Sequence, residues 1–254
     1  MRIVKDSNDQ YHSDKGISAS GLKEISKNSV YHYLNRKPFE SSSMHFGTAV
    51  HAAILEPDTF YDIYYPMPEI GDLRKKENKQ LKIEAEEKSK GKICLSYYDH
   101  KRIKSILDNF KKNKLAQQYC KGEIELSHYG SYDNVPIRVR PDIMNHVQDF
   151  IGDVKTTQDA SPKGFRSAVY KYNYHLQAAF YMDMLEINEF KFICCEVNHP
   201  YTVVVHTLDD DFIQLGRKLW QQAFEDYKQY FIFGKTKLFH HETICDDGSY
   251  LICK

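Results

Sequence analysis

The chain has little that would carry it into a membrane or through one. No stretch approaches the ~18 consecutive apolar residues a spanning helix needs, and the opening MRIVKDSNDQ contains no apolar run of the export-signal kind. The six cysteines (Cys94, Cys120, Cys194, Cys195, Cys245 and Cys253) form no CxxC pair and no regular framework. Structural disulfides are therefore not expected, and the sequence reads as that of a soluble cytoplasmic protein. A GxxxxGK[ST] loop is missing, which excludes ATP use by that route. His240 and His241 lie near Cys245 without the spacing of a tetrahedral zinc site. Net charge is zero, so bulk charge neither demands nor excludes a nucleic-acid partner.

What is present is an ordinary globular composition. Across 254 residues, 41% are hydrophobic and 28% charged, enough for a sizeable core and unlike a disordered chain. The charge is unevenly placed: fifteen Lys and Arg face six Asp and Glu between Arg74 and Lys121, and the remainder is acidic. A basic segment that could hold phosphates, with carboxylates elsewhere that could hold a cation, suits a metal-dependent enzyme of nucleic acids. A solvated, charged helix face explains the same excess. Within this segment, residues 71–92 (GDLRKKENKQLKIEAEEKSKGK) are almost wholly polar and read as a mobile loop or exposed helix outside the core. Arg74, Lys75, Lys76 and Lys79 are its candidate phosphate contacts.

Helical and strand patterns alternate along the chain. In Gly16–Leu22, Ser18 and Ser20 are candidate N-caps for a helix from about Ser20 to Leu34. After Pro38, Ala49, Val50, Ala53 and Ile54 give an apolar stripe to a helix over Met44–Leu55, closed by Pro57. Tyr97–Tyr119 reads as a long amphipathic helix. Beyond Gly122 the pattern becomes Glu123–Tyr129, Val135–Arg140 and Gln148–Lys155, a three-stranded meander with a turn at Ser131–Asn134. Ser161–Leu185 is helical with a break near Asn173. Phe190–Val197 and Thr202–Thr207 form a hairpin around His199-Pro200, and a helix follows from Leu208 to about Phe231. Lys237–Cys253 reads as a small terminal hairpin. The fold class is α+β or α/β, a central mixed sheet flanked by helices. One domain spans 1–254, with its core at about 16–231, a charged insertion at 71–92 and a small extension at 237–254.

The chemistry centres on Arg140-Pro141-Asp142 and Asp153-Val154-Lys155. Asp142 closes one strand and Asp153 lies on the next, so their carboxylates can converge at one end of a hairpin. Residues i and i+2 of a strand share a face, which aims Asp153 and Lys155 at the same place. Two carboxylates can hold one or two Mg²⁺ ions, and a lysine beside them can orient the attacking water and offset developing charge. That combination suits phosphodiester hydrolysis. Glu125 on the first strand is a further candidate metal carboxylate. Glu123 competes with it, because strand alternation places both on one face. The 19 tyrosines offer surfaces for base stacking, although most read as ordinary core or surface aromatics.

Four motifs occur in order with compatible elements: GTAVHAAILEP (Gly47–Pro57), Arg140-Pro141-Asp142, Asp153-Val154-Lys155-Thr156-Thr157 and YHLQAAFY (Tyr174–Tyr181), preceded by Gly16-Ile17-Ser18-Ala19-Ser20. Together they resemble the nuclease domain of exonuclease VIII, the RecE-type enzymes of phage recombination within the PD-(D/E)xK superfamily, over roughly Gly16 to Phe231. The resemblance implies that His51 is a helix-borne metal ligand or metal-site residue, that Asp142 and Asp153 bind the metal, and that Lys155 is the catalytic lysine. It matches Gln177 and Tyr181 to a QxxxY motif beside the metal site or a DNA phosphate. It further implies a phage or prophage enzyme that uses Mg²⁺, with Mn²⁺ as a substitute. Such an enzyme would degrade double-stranded DNA ends 5′→3′ and leave a 3′ strand for a RecT-like single-strand annealing protein. A homo-oligomeric ring around DNA follows from the same likeness. The iron–sulfur cluster of some superfamily members needs three clustered downstream cysteines, and only Cys245 and Cys253 lie near the end of this chain. A structure-selective or restriction-like endonuclease, and a catalytically inactive DNA-binding module, are the alternative readings.

Overall fold

The computed structural model describes residues 1–37, 39–236 and 238. Pro38, the expected terminal hairpin, His240, His241, Cys245 and Cys253 lie outside the described residues. The chain begins β1 (Arg2–Val4), α1 (Asn8–Ser13), α2 (Ala19–Lys27), α3 (Val30–Leu34), α4 (Ser42–Leu55), α5 (Phe60–Ile63), β2 (Tyr64–Pro66), α6 (Lys76–Lys88), β3 (Ile93–Leu95), α7 (Tyr97–Lys112) and α8 (Lys114–Gln118). It continues β4 (Glu123–Ile124), β5 (Ser127–Tyr132), β6 (Val135–Val139), β7 (Ile143–Asn145), β8 (Phe150–Thr157), α9 (Pro162–Tyr172), α10 (Tyr174–Leu185), β9 (Glu189–Glu196), β10 (Val203–Thr207) and α11 (Asp210–Phe233).

A five-stranded mixed sheet in the order β10-β9-β8-β7-β4 forms the centre, with helices on both faces. The class expected from the sequence is the one observed. β8 and β9 run parallel in an eight-residue register from Phe150↔Glu189 to Thr157↔Glu196, and α9 and α10 make the crossover that such a pair requires. Strand alternation divides the core: Ile151, Phe190, Phe192 and Cys194 face α2, α10 and α11. Phe150, Val154, Ile193 and Cys195 face α4, α7 and α8. Each fully buried Phe or Ile here contributes about 1.5–3 kcal/mol relative to exposure. The α10–α11 contact depends on Gly216, where a Cβ would stand 2.1 Å from the His175 carbonyl oxygen.

Several expected boundaries are corrected by local capping. The helix read over Ser20–Leu34 starts at Ala19 on the Ser18 cap and is interrupted at Asn28, after which Ser29 caps α3 by accepting from the His32 N–H. The helix read over Tyr97–Tyr119 breaks at Asn113, whose side chain accepts from Ala116 N–H and starts α8. Of the two readings of the charged insertion, the exposed helix is the one observed, at Lys76–Lys88, with Ala85 buried. Flanking it, β2 and β3 pair in parallel. Asn173 adopts the left-handed conformation (φ 51°) that divides α9 from α10, at the break the sequence indicated.

The meander is the larger correction. Glu125 has φ 50°, which ends β4 after Ile124 and sends the chain into a second sheet, β1-β5-β6. β5 and β6 join through Asp133 and Asn134, both at positive φ, as two-residue hairpins favour. The chain then returns to the central sheet through β7, a strand the sequence reading passed over. β7, not β6, pairs antiparallel with β8. Among the described residues no helix is long and apolar enough to cross a membrane.

Candidate active site

The β7–β8 pairing places Asp142, just ahead of β7, against the middle of β8. Its Oδ2 accepts from the Val154 backbone N–H at 2.8 Å, and its backbone carbonyl accepts from the Glu125 N–H at 3.1 Å. On β8, Asp153 and Lys155 share a face as i, i+2 spacing requires, with Lys155 Nζ 2.5 Å from Asp153 Oδ2. Lys155 is thus the near partner of Asp153 Oδ2, an ion pair that leaves this buried oxygen with no further donor. Asp153 Oδ1 accepts from Gln177 Nε2 of α10 at 2.7 Å.

α4 contributes His51 from the other side. Its Nε2 lies 3.0 Å from Asp142 Oδ2 and its Nδ1 lies 3.3 Å from Glu125 Oε1. Only an imidazolium donates from both nitrogens. Burial works against that charged form, but the charge and hydrogen bond of Asp142 and the charge of Glu125 prevail, and the His51 pKa is pushed up to about 9. Burial also raises the Asp142 pKa, yet His51, Lys155 and the Val154 N–H together hold it below the usual carboxylate value. Asp153, more deeply buried and facing the Asp142 charge, is raised despite Lys155. Lys155 keeps its proton firmly, because two carboxylates outweigh its desolvation.

The Glu123/Glu125 alternative separates on backbone geometry. The left-handed turn at Glu125 removes the shared face expected from alternation, and Glu125 turns to His51 while Arg140 NH2 binds its Oε2 at 3.2 Å. Glu123 stays exposed, 3.9 Å from His146. Tyr181 is buried and its hydroxyl donates to the Arg140 carbonyl at 3.2 Å, so it braces the Arg140–Asp142 segment beside the carboxylates. Arg74, Lys75, Lys76 and Lys79 are not brought to this cluster and line neither cleft beside it. Arg74 is instead tied to Asp72 at 2.6 Å.

Two residues of the site were given no role from the sequence. Lys23 of α2 donates to Gln177 Oε1 at 2.9 Å. Burial, reinforced by the nearby Lys155 charge, lowers its pKa to about 8. Arg140 is nearly buried and its second terminal nitrogen, NH1, has no partner. A lysine interrupting the apolar face between Leu22 and Ile25, and an arginine directly ahead of Pro141-Asp142, were the available signals.

Among the described residues no three His, Cys, Asp or Glu side chains stand as a ready-made coordination shell, since His51 and Lys155 occupy the inner carboxylate positions. The donor set nonetheless fits a hard divalent cation: carboxylate oxygens of Asp142, Asp153 and Glu125 converge there, with the His51 ring beside them.

A mixed sheet carrying two converging carboxylates and a lysine on adjoining strands defines a PD-(D/E)xK-type core. The chain belongs to the family of PDDEXK-like domains of unknown function DUF3799, whose model matches residues 18–232. No curated protein matches the sequence. Among solved structures, the crystal structure of a "putative exonuclease" from Eubacterium rectale is similar in fold, with a TM-score of 0.62 and 13% identity over 99% of this chain and 96% of that one. A phage-related exonuclease from Haemophilus somnus 129PT aligns over 87% of this chain and 96% of its own at 13% identity, with a TM-score of 0.36.

Proposed function

We propose that this chain is a metal-dependent deoxyribonuclease that degrades double-stranded DNA from an end, in the 5′→3′ direction. The observation that carries the reading is the convergence of Asp142, Asp153 and Lys155 at the β7–β8 pair, with His51 and Glu125 closing the same cluster. Asp142 and Asp153 would hold a Mg²⁺ or Mn²⁺ ion, with Glu125 and His51 beside it. Bound there, the ion supplies Lewis-acid polarisation of a phosphoryl oxygen and acidifies water. Lys155 offsets the negative charge that builds on the phosphate and holds the attacking water near Asp153. Gln177 fixes the Asp153 carboxylate by its hydrogen bond, and Lys23 and Arg140 add positive charge beside the phosphate position.

Polarity, duplex preference, a ring-shaped oligomer and delivery of the 3′ strand to an annealing protein rest on the resemblance to RecE-type enzymes. The deciding experiment is digestion of end-labelled linear duplex beside covalently closed circular duplex, with Mg²⁺ and with EDTA. The expected result is Mg²⁺-dependent shortening of the linear DNA from its 5′ ends with the circle untouched. Cutting of the circle would replace the exonuclease by an endonuclease. Binding without cleavage of either substrate would leave a DNA-binding module.

A further inference from the structure

A cleft of about 730 Å³ opens beside Lys155 and is walled by Thr157, Gly164, Lys171, Tyr172 and Tyr174. This volume lies within the range of small-ligand pockets, and nothing in the hydrolytic chemistry accounts for its aromatic wall. Three rings form a ladder there. Phe165 stacks on Tyr174 with centroids 6.2 Å apart and planes 25° apart, and Tyr174 stacks on Tyr172 at 5.5 Å and 30°. The left-handed Asn173 between the two tyrosines brings their rings onto one side of the α9–α10 junction.

The ladder runs from core to solvent. Phe165 is buried, and Tyr172 is 49% exposed and presents the outermost ring. Cations accompany each step: Lys155 Nζ lies 5.2 Å from the Tyr174 centroid, Lys23 Nζ 5.6 Å from the same ring, and Lys171 Nζ 5.2 Å from that of Tyr172. Stacked aromatic faces alternating with ammonium groups are what an unpaired nucleotide strand requires, since every base has a π-face and every linkage a negative charge. A paired base inside duplex DNA is already stacked on both faces and has none to offer.

We propose that this cleft is a subsite for unpaired nucleotides of the strand being cut. A base would stack on Tyr172 as the next rung of the ladder, and its phosphate would lie between Lys171 and Lys155. The proposal rests on the nuclease reading of the adjoining carboxylates and adds to it: the end of the duplex is opened at the site, and substrate recognition includes the face of a base. No sequence readout is involved, so stacking should be tolerant of base identity.

The test uses the full chain and a short single-stranded oligonucleotide carrying 2-aminopurine, in Ca²⁺ to retain binding without turnover, alongside Mg²⁺-dependent digestion of end-labelled duplex. Wild-type protein should quench the 2-aminopurine fluorescence. Tyr172→Ala should lose the quench, weaken affinity by roughly ten-fold or more, and raise KM for duplex more than it lowers kcat. Tyr172→Phe should keep all three, because stacking needs the ring and not the hydroxyl. Undiminished quenching and KM in Tyr172→Ala would overturn the subsite, as would Tyr172→Phe falling as far as Tyr172→Ala. Absence of cleavage by the wild-type chain would instead remove the nuclease reading, and the Tyr172 dependence of the quench would still decide whether the cleft holds unpaired bases.

Discussion

Gln177 Nε2 donates to Asp153 Oδ1 across 2.7 Å, joining α10 to the central strand at the carboxylate that Lys155 approaches from its other oxygen. The amide's own oxygen is engaged by Lys23 at 2.9 Å. A neutral side chain with one donor and one acceptor thus separates a carboxylate from an ammonium group and orients both.

The consequence for activity is that Gln177→Leu, which keeps the volume and removes both hydrogen bonds, should lower kcat by roughly ten- to a hundred-fold, the scale of a lost supporting bond in a metal site. Gln177→Glu should be more damaging, because it places a second negative charge against Asp153. Steady-state digestion of duplex ends would measure both, and Gln177→Leu with wild-type kcat would exclude a positioning role.

Asp142→Asn and Asp153→Asn should each abolish cleavage while the protein still folds. Wild-type protein should also gain thermal stability from Mg²⁺ and lose that gain with EDTA, by linkage to a site present only in the folded chain. In Asp153→Asn the metal-dependent shift of Tm should vanish, and the metal-free Tm should hold or rise, since a buried charge facing Asp142 has been removed. Cleavage within a few-fold of wild type in either variant would refute the assignment.

Lys155→Ala should lower turnover of bound DNA by orders of magnitude yet leave Ca²⁺-dependent DNA binding, because the carboxylates remain. The opposite pattern, weak binding with unchanged single-turnover rate, would make Lys155 a phosphate anchor only.

Replacing Arg74, Lys75, Lys76 and Lys79 together by Ala tests whether DNA runs along the exposed α6 region, away from the carboxylates. Each lost phosphate contact should reduce the log–log salt slope of binding by roughly 0.9, with turnover at saturating DNA changed less. An unaltered slope would assign the basic excess to a solvated surface and shift attention to the lysines of α7.

Two buried histidines away from the carboxylates work against stability in mild acid, opposite in sign to His51, whose raised pKa favours the fold as pH falls from about 9 toward 6.5. Burial lowers the pKa of both His128 and His175, so each is neutral in the fold and takes up a proton on unfolding. Their contribution is complete above the ordinary histidine value of about 6.5 and declines as pH drops toward the folded values. Denaturant midpoints at pH 7.5 and 5.5 read the sum of these opposing effects, and the His128 share is the difference in pH dependence between wild type and His128→Phe. The substitution should lessen the acid loss, since His128 Nε2 has no partner to forfeit.

Local rules made much of this legible. Period-two and period-3.6 patterns located the strands that carry Asp153 and Lys155 and the helix that carries His51, and Asn173 marked its own break. The meander was misread because nothing in the Glu123–Tyr129 pattern announces a left-handed residue at Glu125, and a three-residue strand such as β7 has too short a period to register. Lys23 illustrates another limit. Its partner lies 154 positions away, and pattern reading reaches only near neighbours. The shared motif order supplied what periodicity could not, placing Gln177 beside a carboxylate far from it in sequence.

The sheet also gives the two sides of the carboxylate cluster unequal stiffness. Asp153 and Lys155 ride on β8, held by an eight-pair ladder to β9, whereas Glu125 follows β4, which is joined to β7 by the two pairs Glu123↔Met144 and Ile124↔Ile143, with one further backbone bond from Glu125 N–H to the Asp142 carbonyl. Local opening begins where few backbone bonds must break together. β8 is accordingly the stiffer side of the cluster, and the short β4 pairing is the side where local opening breaks fewer backbone bonds. A cation held between the carboxylates would tie the two sides together, so slowed amide exchange at Ile124 and Met144 on adding Mg²⁺ is the expected sign of an occupied site.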